Sequence, residues 1–206
     1  MPYLKVLKKL FRTSTVPEKD DLTRAESEPK DMPEMQLTTH SHPDVTKIDL
    51  AMMARAIKLA EQAAAIDEVP VGAVVYKGNK IIAEAYNLRE STTDPVAHAE
   101  LMAISQAGKV LGDWRLTGCT LAVTLEPCPM CAGALVNARL SRMIYGATDP
   151  KAGGCESLYR IATDNRLNHE VEIIKGVFAG RCSQLLKDFF RKKREARKER
   201  RLQKTG

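Results

Sequence analysis

The stretch Cys119-Thr120-Leu121-Ala122-Val123-Thr124-Leu125-Glu126-Pro127-Cys128-Pro129-Met130-Cys131 decides the fold class. Cys119 to Leu125 is a short apolar run with β-branched residues, the composition of a buried strand. Pro127-Cys128-Pro129 then opens a helix, with Pro129 at the first helical position, where a missing N–H costs nothing. Cys131 falls within the first turn. Two cysteines three residues apart at a helix start can face one metal, and the positive end of the helix dipole favours their thiolates. A strand running directly into a ligand-bearing helix is an α/β signal.

Working outward, the nearest partner for the two thiols lies upstream in Asp94-Pro95-Val96-Ala97-His98-Ala99-Glu100. An acidic cap followed by proline predicts a helix from here to about Lys109, with His98 close to its N-terminus. In an α-helix His98 and Glu100 diverge by about 200°. Glu100 is therefore placed to address a water or a substrate, not to share the metal with His98. One imidazole and two thiolates give three protein ligands and leave one tetrahedral position open, the pattern of a catalytic rather than a structural zinc. Zinc acidifies water in that position, and Glu100 can take the proton and pass it to a leaving group. A structural zinc and a chance conjunction are the blander readings; the free carboxylate argues against the first and the matched strand-to-helix contexts against the second. The order H-x-E…P-C-x-x-C is the signature of zinc-dependent hydrolytic deamination.

The remaining elements follow from periodicity. Leu50, Met53, Ile57, Ala60 and Ala64 recur at i+3 and i+4, one face of an amphipathic helix that starts near Lys47. Pro70 to Tyr76 and Ile81 to Asn87 are apolar runs around Lys77-Gly78-Asn79-Lys80, a β-hairpin and an antiparallel start to the sheet. Arg142 to Ala147 reads as a fourth strand, Glu156 to Leu167 as a crossover helix, and Glu172 to Phe178 as a fifth strand. From Gly180 a last helix carries Leu185, Leu186, Phe189 and Phe190 before becoming almost wholly charged. The expected fold is a three-layer αβα sandwich around a five-stranded mixed sheet.

The 206 residues carry a formal charge of +6, unevenly spread. Residues 1–46 hold 7 basic and 8 acidic side chains, residues 47–186 hold 15 of each, and residues 187–206 hold 10 and 3. That basic C-terminus is a candidate footprint for a polyanion, or a solvated tail. Three parts result: an N-terminal extension, 1–46; a zinc-dependent domain, 47–190; and a basic helical tail, 191–206. Within the extension, residues 1–15 suit a short basic amphipathic helix, while residues 17–46, with four prolines and many charges, read as a disordered linker. His40 and His42 have no neighbours to complete a metal site there. No apolar run approaches the roughly 20 residues of a membrane span. Five cysteines without a secretory signal argue for a reducing compartment and metal ligation. The cytoplasm is the expected location, with organelle import through the extension as the alternative. Cys119, Cys155 and Cys182 read as small buried hydrophobes, and His169 as a surface residue.

Beyond the zinc signature, which cytidine, deoxycytidylate, guanine and riboflavin-pathway deaminases share, the wording of the chain over about 47–195 resembles the bacterial tRNA-specific adenosine deaminases of the cytidine deaminase-like superfamily. The segments that carry the likeness are Glu68 to Val74, Asn87, Asp94 to Glu100, Leu125 to Ala134, Tyr145 to Lys151 and Asp188-Phe189-Phe190-Arg191. The resemblance implies that His98, Cys128 and Cys131 bind one Zn²⁺ per subunit and that Glu100 shuttles the proton. It implies a substrate, the wobble adenosine of a tRNA anticodon stem-loop, an arginine tRNA in particular, and a homodimer. Asn87 matches a position that touches the target nucleotide, and Asp149 one that holds the adjacent backbone. Phe189 is the candidate for base contact from the last helix, against a packing role. Two rivals stand beside this reading: deamination of a free base or nucleotide, which has no use for the basic tail, and a non-catalytic zinc module, which has no use for Glu100.

Overall fold

A computed structural model of the chain describes residues 44–205. The expectations for residues 1–43, namely the basic helix, the linker, His40 and His42, lie outside the described residues. Helix α1 (Lys47–Ala65) opens on a capping box, in which the Thr46 hydroxyl accepts from the Asp49 N–H and the Asp49 carboxylate accepts from the Thr46 N–H. Its buried face is Met53, Ala56, Ile57, Ala60 and Ala63. Strands β1 (Gly72–Lys77) and β2 (Lys80–Tyr86) form the hairpin. A single-turn helix α2 (Arg89–Thr92) precedes α3 (Ala99–Leu111). Then follow β3 (Thr120–Leu125), α4 (Pro129–Asn137), β4 (Arg142–Ala147), β5 (Glu172–Lys175) and α5 (Ala179–Thr205).

The sheet order is β2-β1-β3-β4-β5, with β1 antiparallel to β2 and β3, and β4 parallel to β3 and β5. This is the expected five-stranded mixed sheet in an αβα sandwich, with α1 and α5 on one face and α3 and α4 on the other. The central strands are buried on both faces and their side chains alternate between two cores. Val74, Tyr76, Ala122, Ile144 and Ile174 pack with Met53 of α1 and Cys182 of α5. Ala73, Val75, Leu121, Val123, Met143 and Tyr145 pack with Ala103 of α3 and Leu135 of α4. Gly72 is required where α1 crosses β1: a Cβ there would lie 2.1 Å from the Ala56 carbonyl oxygen.

Strand direction gathers the site. Because β1 runs against β3, the start of β1 and the end of β2 (Gly72 opposite Tyr86) lie at the same edge as the carboxyl ends of β3 and β4 (Leu125 opposite Ala147). The loops leaving that edge hold Asn87, Glu126 to Cys128 and Asp149. Ligand sites of α/β sheets form outside the carboxyl ends of strands where the strand order switches.

Three expected boundaries are corrected. Asp94-Pro95 does not begin a helix: the Asp94 carboxylate accepts from the Val96 N–H, its carbonyl accepts from the Ala97 N–H, and α3 starts only at Ala99. Asp followed by Pro also serves the first two positions of a β-turn, and that use won. The crossover helix over 156–167 is absent except for a 3₁₀ turn at Ile161–Thr163. The N–H groups that would continue a helix reach further back than i−4: those of Leu158 and Tyr159 bond the Gly153 carbonyl and that of Ile161 the Gly154 carbonyl, while Glu156 and Ser157 donate to the Glu126 carboxylate at 2.8 Å each. Strand β5 stops at Lys175, since Gly176 and Phe178 both take positive φ in the turn to α5.

Candidate metal centre and pocket

His98 and Cys128 occupy equivalent places, each the extended N-cap residue of a helix, α3 and α4 respectively. Cys131 lies three residues beyond Cys128, in the first turn of α4. His98 Nδ1 is 3.8 Å from Cys128 Sγ and 3.6 Å from Cys131 Sγ. The three ligand atoms lie within 4.8 Å of one another, a metal-sized cluster among the described residues. Zinc binds imidazole nitrogen at about 2.0–2.1 Å and thiolate at about 2.3 Å, so tetrahedral geometry puts N and S about 3.6 Å apart. The donor set therefore fits zinc in both chemistry and spacing.

The electrostatics agree. The Cys128 thiol is lowered to about 4, chiefly because Cys131 donates to it, with His98 adding to the effect against the cost of burial. His98 is raised because it pairs with Cys128. Cys131 is raised, since its own thiol proton is held by donation to the Cys128 thiolate and burial adds to the effect. One thiolate is thus prepared without a metal, and a divalent cation would take both.

Glu100 is the second residue of α3 and only 4% exposed. Burial raises its pKa, while the helix-start N–H of its own residue and the charge of His98 pull it down. Since His98 lies outside the helix, the 200° divergence expected for two helical residues does not apply. Glu100 and His98 instead line the same pocket, of about 140 Å³, with Asn87, Arg89, Glu126, Cys128 and Asp149 as the other polar walls and Val69, Val71, Leu125 and Ala152 as apolar ones. That volume is below the roughly 300–1,000 Å³ of sites that enclose drug-sized ligands. It is of the size of a single base and its nearest surroundings. Larger surface hollows beside Tyr159 and Arg166, and beside Trp114, lie away from the metal cluster.

Of the expected substrate residues, Asn87 and Asp149 come together here. Phe189 does not: it is 8% exposed, meets Phe190 edge-on at 5.4 Å between ring centroids, and has Lys193 over its face. Phe190, at 45%, is the exposed one. His169 is half-buried and its Nε2 donates to the Leu140 carbonyl at 2.6 Å, a structural bond. Cys119, Cys155 and Cys182 are buried as expected.

Two buried carboxylates flank the pocket, and neither drew a role in the reading of the sequence. Glu126 accepts from the backbone N–H groups of Asp149, Cys155, Glu156 and Ser157 and from the Ser157 hydroxyl. It thereby folds the 149–157 loop against the turn that carries Cys128, so closely that a Cβ on Gly153 would clash with its Oε1. Glu68 is fully buried and bonded to Asn87 and Ser91. The signal available beforehand was a lone acid at each end of an apolar stretch, Glu68-Val69-Pro70-Val71 and Leu125-Glu126-Pro127. An acid there must be buried, and a buried acid must be satisfied.

The profile of the MafB19-like deaminase family matches residues 48–194. The chain is 47% identical over 150 residues to a tRNA-specific adenosine deaminase of Bacillus subtilis (strain 168), covering 73% of this chain and 93% of that one. A protein of the same description from Haemophilus influenzae is 44% identical over 154 residues, 74% and 89% of the two chains. Among solved structures, one described in work on A-to-I editing by tRNA:A34 deaminases at the wobble position superposes with a TM-score of 0.64 at 39% identity, over 66% of this chain and 99% of that one. A guanine deaminase from Nitrosomonas europaea, 22% identical with a TM-score of 0.60 over 68% and 83% of the two chains, shares the fold.

Proposed function

The chain belongs to the MafB19-like deaminases and, within them, to the tRNA-specific adenosine deaminases, and from that premise we propose how its residues divide the work. It is a hydrolytic deaminase of the wobble adenosine in a tRNA anticodon. The product is inosine. The observation that carries this reading is the cluster of His98, Cys128 and Cys131 at one small pocket, which His98 and Cys128 line together with the buried carboxylate of Glu100.

His98, Cys128 and Cys131 hold one zinc per subunit. Bound there, zinc supplies a Lewis acid that makes water a nucleophile at neutral pH. Glu100 takes a proton from the water that adds to C6 of the adenine and delivers it to the departing amino nitrogen, which leaves as ammonia. Asn87 meets the target nucleotide and Asp149 the adjacent backbone. The small pocket requires the base to leave its stack, which a single-stranded anticodon loop permits at lower cost than a duplex. Residues 47–190 form the deaminase domain, and the basic tail 191–206 follows phosphates along the substrate, with Phe190 rather than Phe189 offering a ring to a base. We assign an arginine tRNA as substrate and a homodimer as the working form; the exposed side chains of Leu158 and Tyr159 after the 149–157 loop favour such an interface. Among the described residues no helix is long and apolar enough to cross a membrane. The cytoplasm, where tRNA is processed, is the proposed location, with organelle import through residues 1–46 as the alternative.

Inosine formation on an arginine tRNA anticodon stem-loop by the zinc-loaded chain tests the reading. Product at the wobble position is expected. Turnover of free guanine or a cytosine compound instead, unaffected by deletion of 191–206, would favour the free-base rival.

A further inference from the structure

Glu68, in the turn that follows α1, is fully buried and does not line the pocket. Both of its oxygens are engaged: Oε2 accepts from Asn87 Nδ2 at 2.9 Å, and Oε1 accepts from the Ser91 backbone N–H at 2.6 Å. Burial alone would raise its pKa, but these bonds outweigh burial and hold it below the ordinary value, so the group is an ionised carboxylate. A carboxylate accepts and never donates. Asn87 has no choice but to turn its NH₂ inward. Among the described residues its Oδ1 has no hydrogen-bond partner, and no side-chain polar atom there is both buried and unpartnered. That oxygen is therefore accessible, and Asn87 is one wall of the pocket.

We propose that Glu68 is a positioning residue that sets the polarity of Asn87, so that the pocket presents a hydrogen-bond acceptor and selects a nucleotide carrying a donor there. The proposal rests on the reading of this pocket as the target-nucleotide site. Within an RNA strand the 3′ and 5′ oxygens of adenosine are esterified and the ring nitrogens N1, N3 and N7 are acceptors. The donors left are the exocyclic amine and the 2′-hydroxyl.

Glu68→Gln is nearly isosteric but has one acceptor and one donor group. The Ser91 N–H is a fixed backbone donor, so the new amide gives it the oxygen and turns its NH₂ to Asn87. Asn87 must then rotate, putting Oδ1 inward and NH₂ toward the substrate. Two donors face each other, and kcat/KM on the stem-loop is expected to fall by about 10- to 100-fold, with zinc content and Tm close to wild type. Because Glu68 acts through Asn87, adding Glu68→Gln to Asn87→Ala is expected to cost nothing further. Wild-type kcat/KM in Glu68→Gln, or losses that multiply in the double variant, would overturn the proposal. With 2′-deoxyadenosine at the target, a penalty that vanishes assigns the donor to the 2′-hydroxyl; a penalty that persists assigns it to the amine. Should Glu68→Gln fail to fold, proton exchange of the Asn87 side-chain NH₂ in the wild-type protein, identified by its loss in Asn87→Ala, decides the matter. Slow exchange fits an amide donated into the interior, and solvent-rate exchange contradicts it. If the wild type forms no inosine the substrate reading fails, while this exchange measurement still reports on the orientation.

Discussion

Glu68, Glu100 and Glu126 are all at most 4% exposed, yet their surroundings push them in opposite directions. Glu68 and Glu126 are surrounded by donors and held as carboxylates below the ordinary range; Glu100 lacks such a cage and is pushed up by burial. Environment thus separates two structural acids from the one available to carry a proton. Glu100→Gln is expected to keep full zinc content and lose turnover by about 10²- to 10⁴-fold; a fully active variant would remove Glu100 from the chemistry. Cys128→Ala leaves two ligands and is expected to lose both metal and activity, read by zinc analysis beside the assay. Chelation of the wild type should likewise abolish turnover, and added zinc should restore it. Glu126→Ala deprives four backbone N–H groups of their acceptor, at about 1–3 kcal/mol for each one left buried. Loosening of the 149–157 loop, seen as faster amide exchange there, is the expected result.

At the level of elements, α1 is tied to the sheet by one carboxylate. Asp49 caps its own helix, accepts from the Tyr76 hydroxyl on β1, and takes a bidentate pair from Arg142 on β4 at 2.8 and 3.0 Å. Burial works to raise its pKa, but the bonds from Arg142, Tyr76 and Thr46 bring it from 3.8 to about 2. A depressed folded-state value means that the stabilisation is complete above about pH 4 and is lost as the pH falls through about 2. The shift is worth about 2 kcal/mol. Asp49→Asn should therefore lower Tm at neutral pH by roughly 4–8 °C and flatten the acid limb of the stability profile. The α1 stripe was legible from Met53, Ile57 and Ala60, because local periodicity sets it. The hairpin and the alternation of strands and helices were legible for the same reason, while the cluster of His98, Cys128 and Cys131, whose first two members lie 30 residues apart, was legible from residue type and matched helix starts. What misled was chemistry that serves two structures, as at Asp94-Pro95, or chemistry supplied from afar. The 156–167 segment has helical composition, but the N–H groups of Leu158, Tyr159 and Ile161 bond back to the carbonyls of Gly153 and Gly154 in a turn that Glu126, thirty residues before Glu156, holds in place, and spacing along the chain does not reveal that. The roles of Glu68 and Phe189 were hidden likewise, since each depends on burial that only the folded chain defines.

Across the whole molecule, charge and chemistry are separated. The pocket lies at one edge of a sheet whose surrounding chain is neutral overall, while α5 continues as an exposed basic helix beyond Phe190. Nine basic and two acidic residues make up the charge of 191–206. Deleting them is expected to raise KM for the stem-loop with little change in kcat, and to weaken the salt dependence of RNA binding, because fewer phosphates are neutralised. An unchanged salt slope would reduce the tail to a solvating segment. The central claim, that this zinc-and-glutamate pocket acts on the wobble adenosine of tRNA, is tested most directly by treating total tRNA with the zinc-loaded full-length chain and mapping inosine by position. Inosine confined to the first anticodon position, absent with Glu100→Gln, is the predicted result. No inosine, or inosine at other positions with the anticodon untouched, would contradict it.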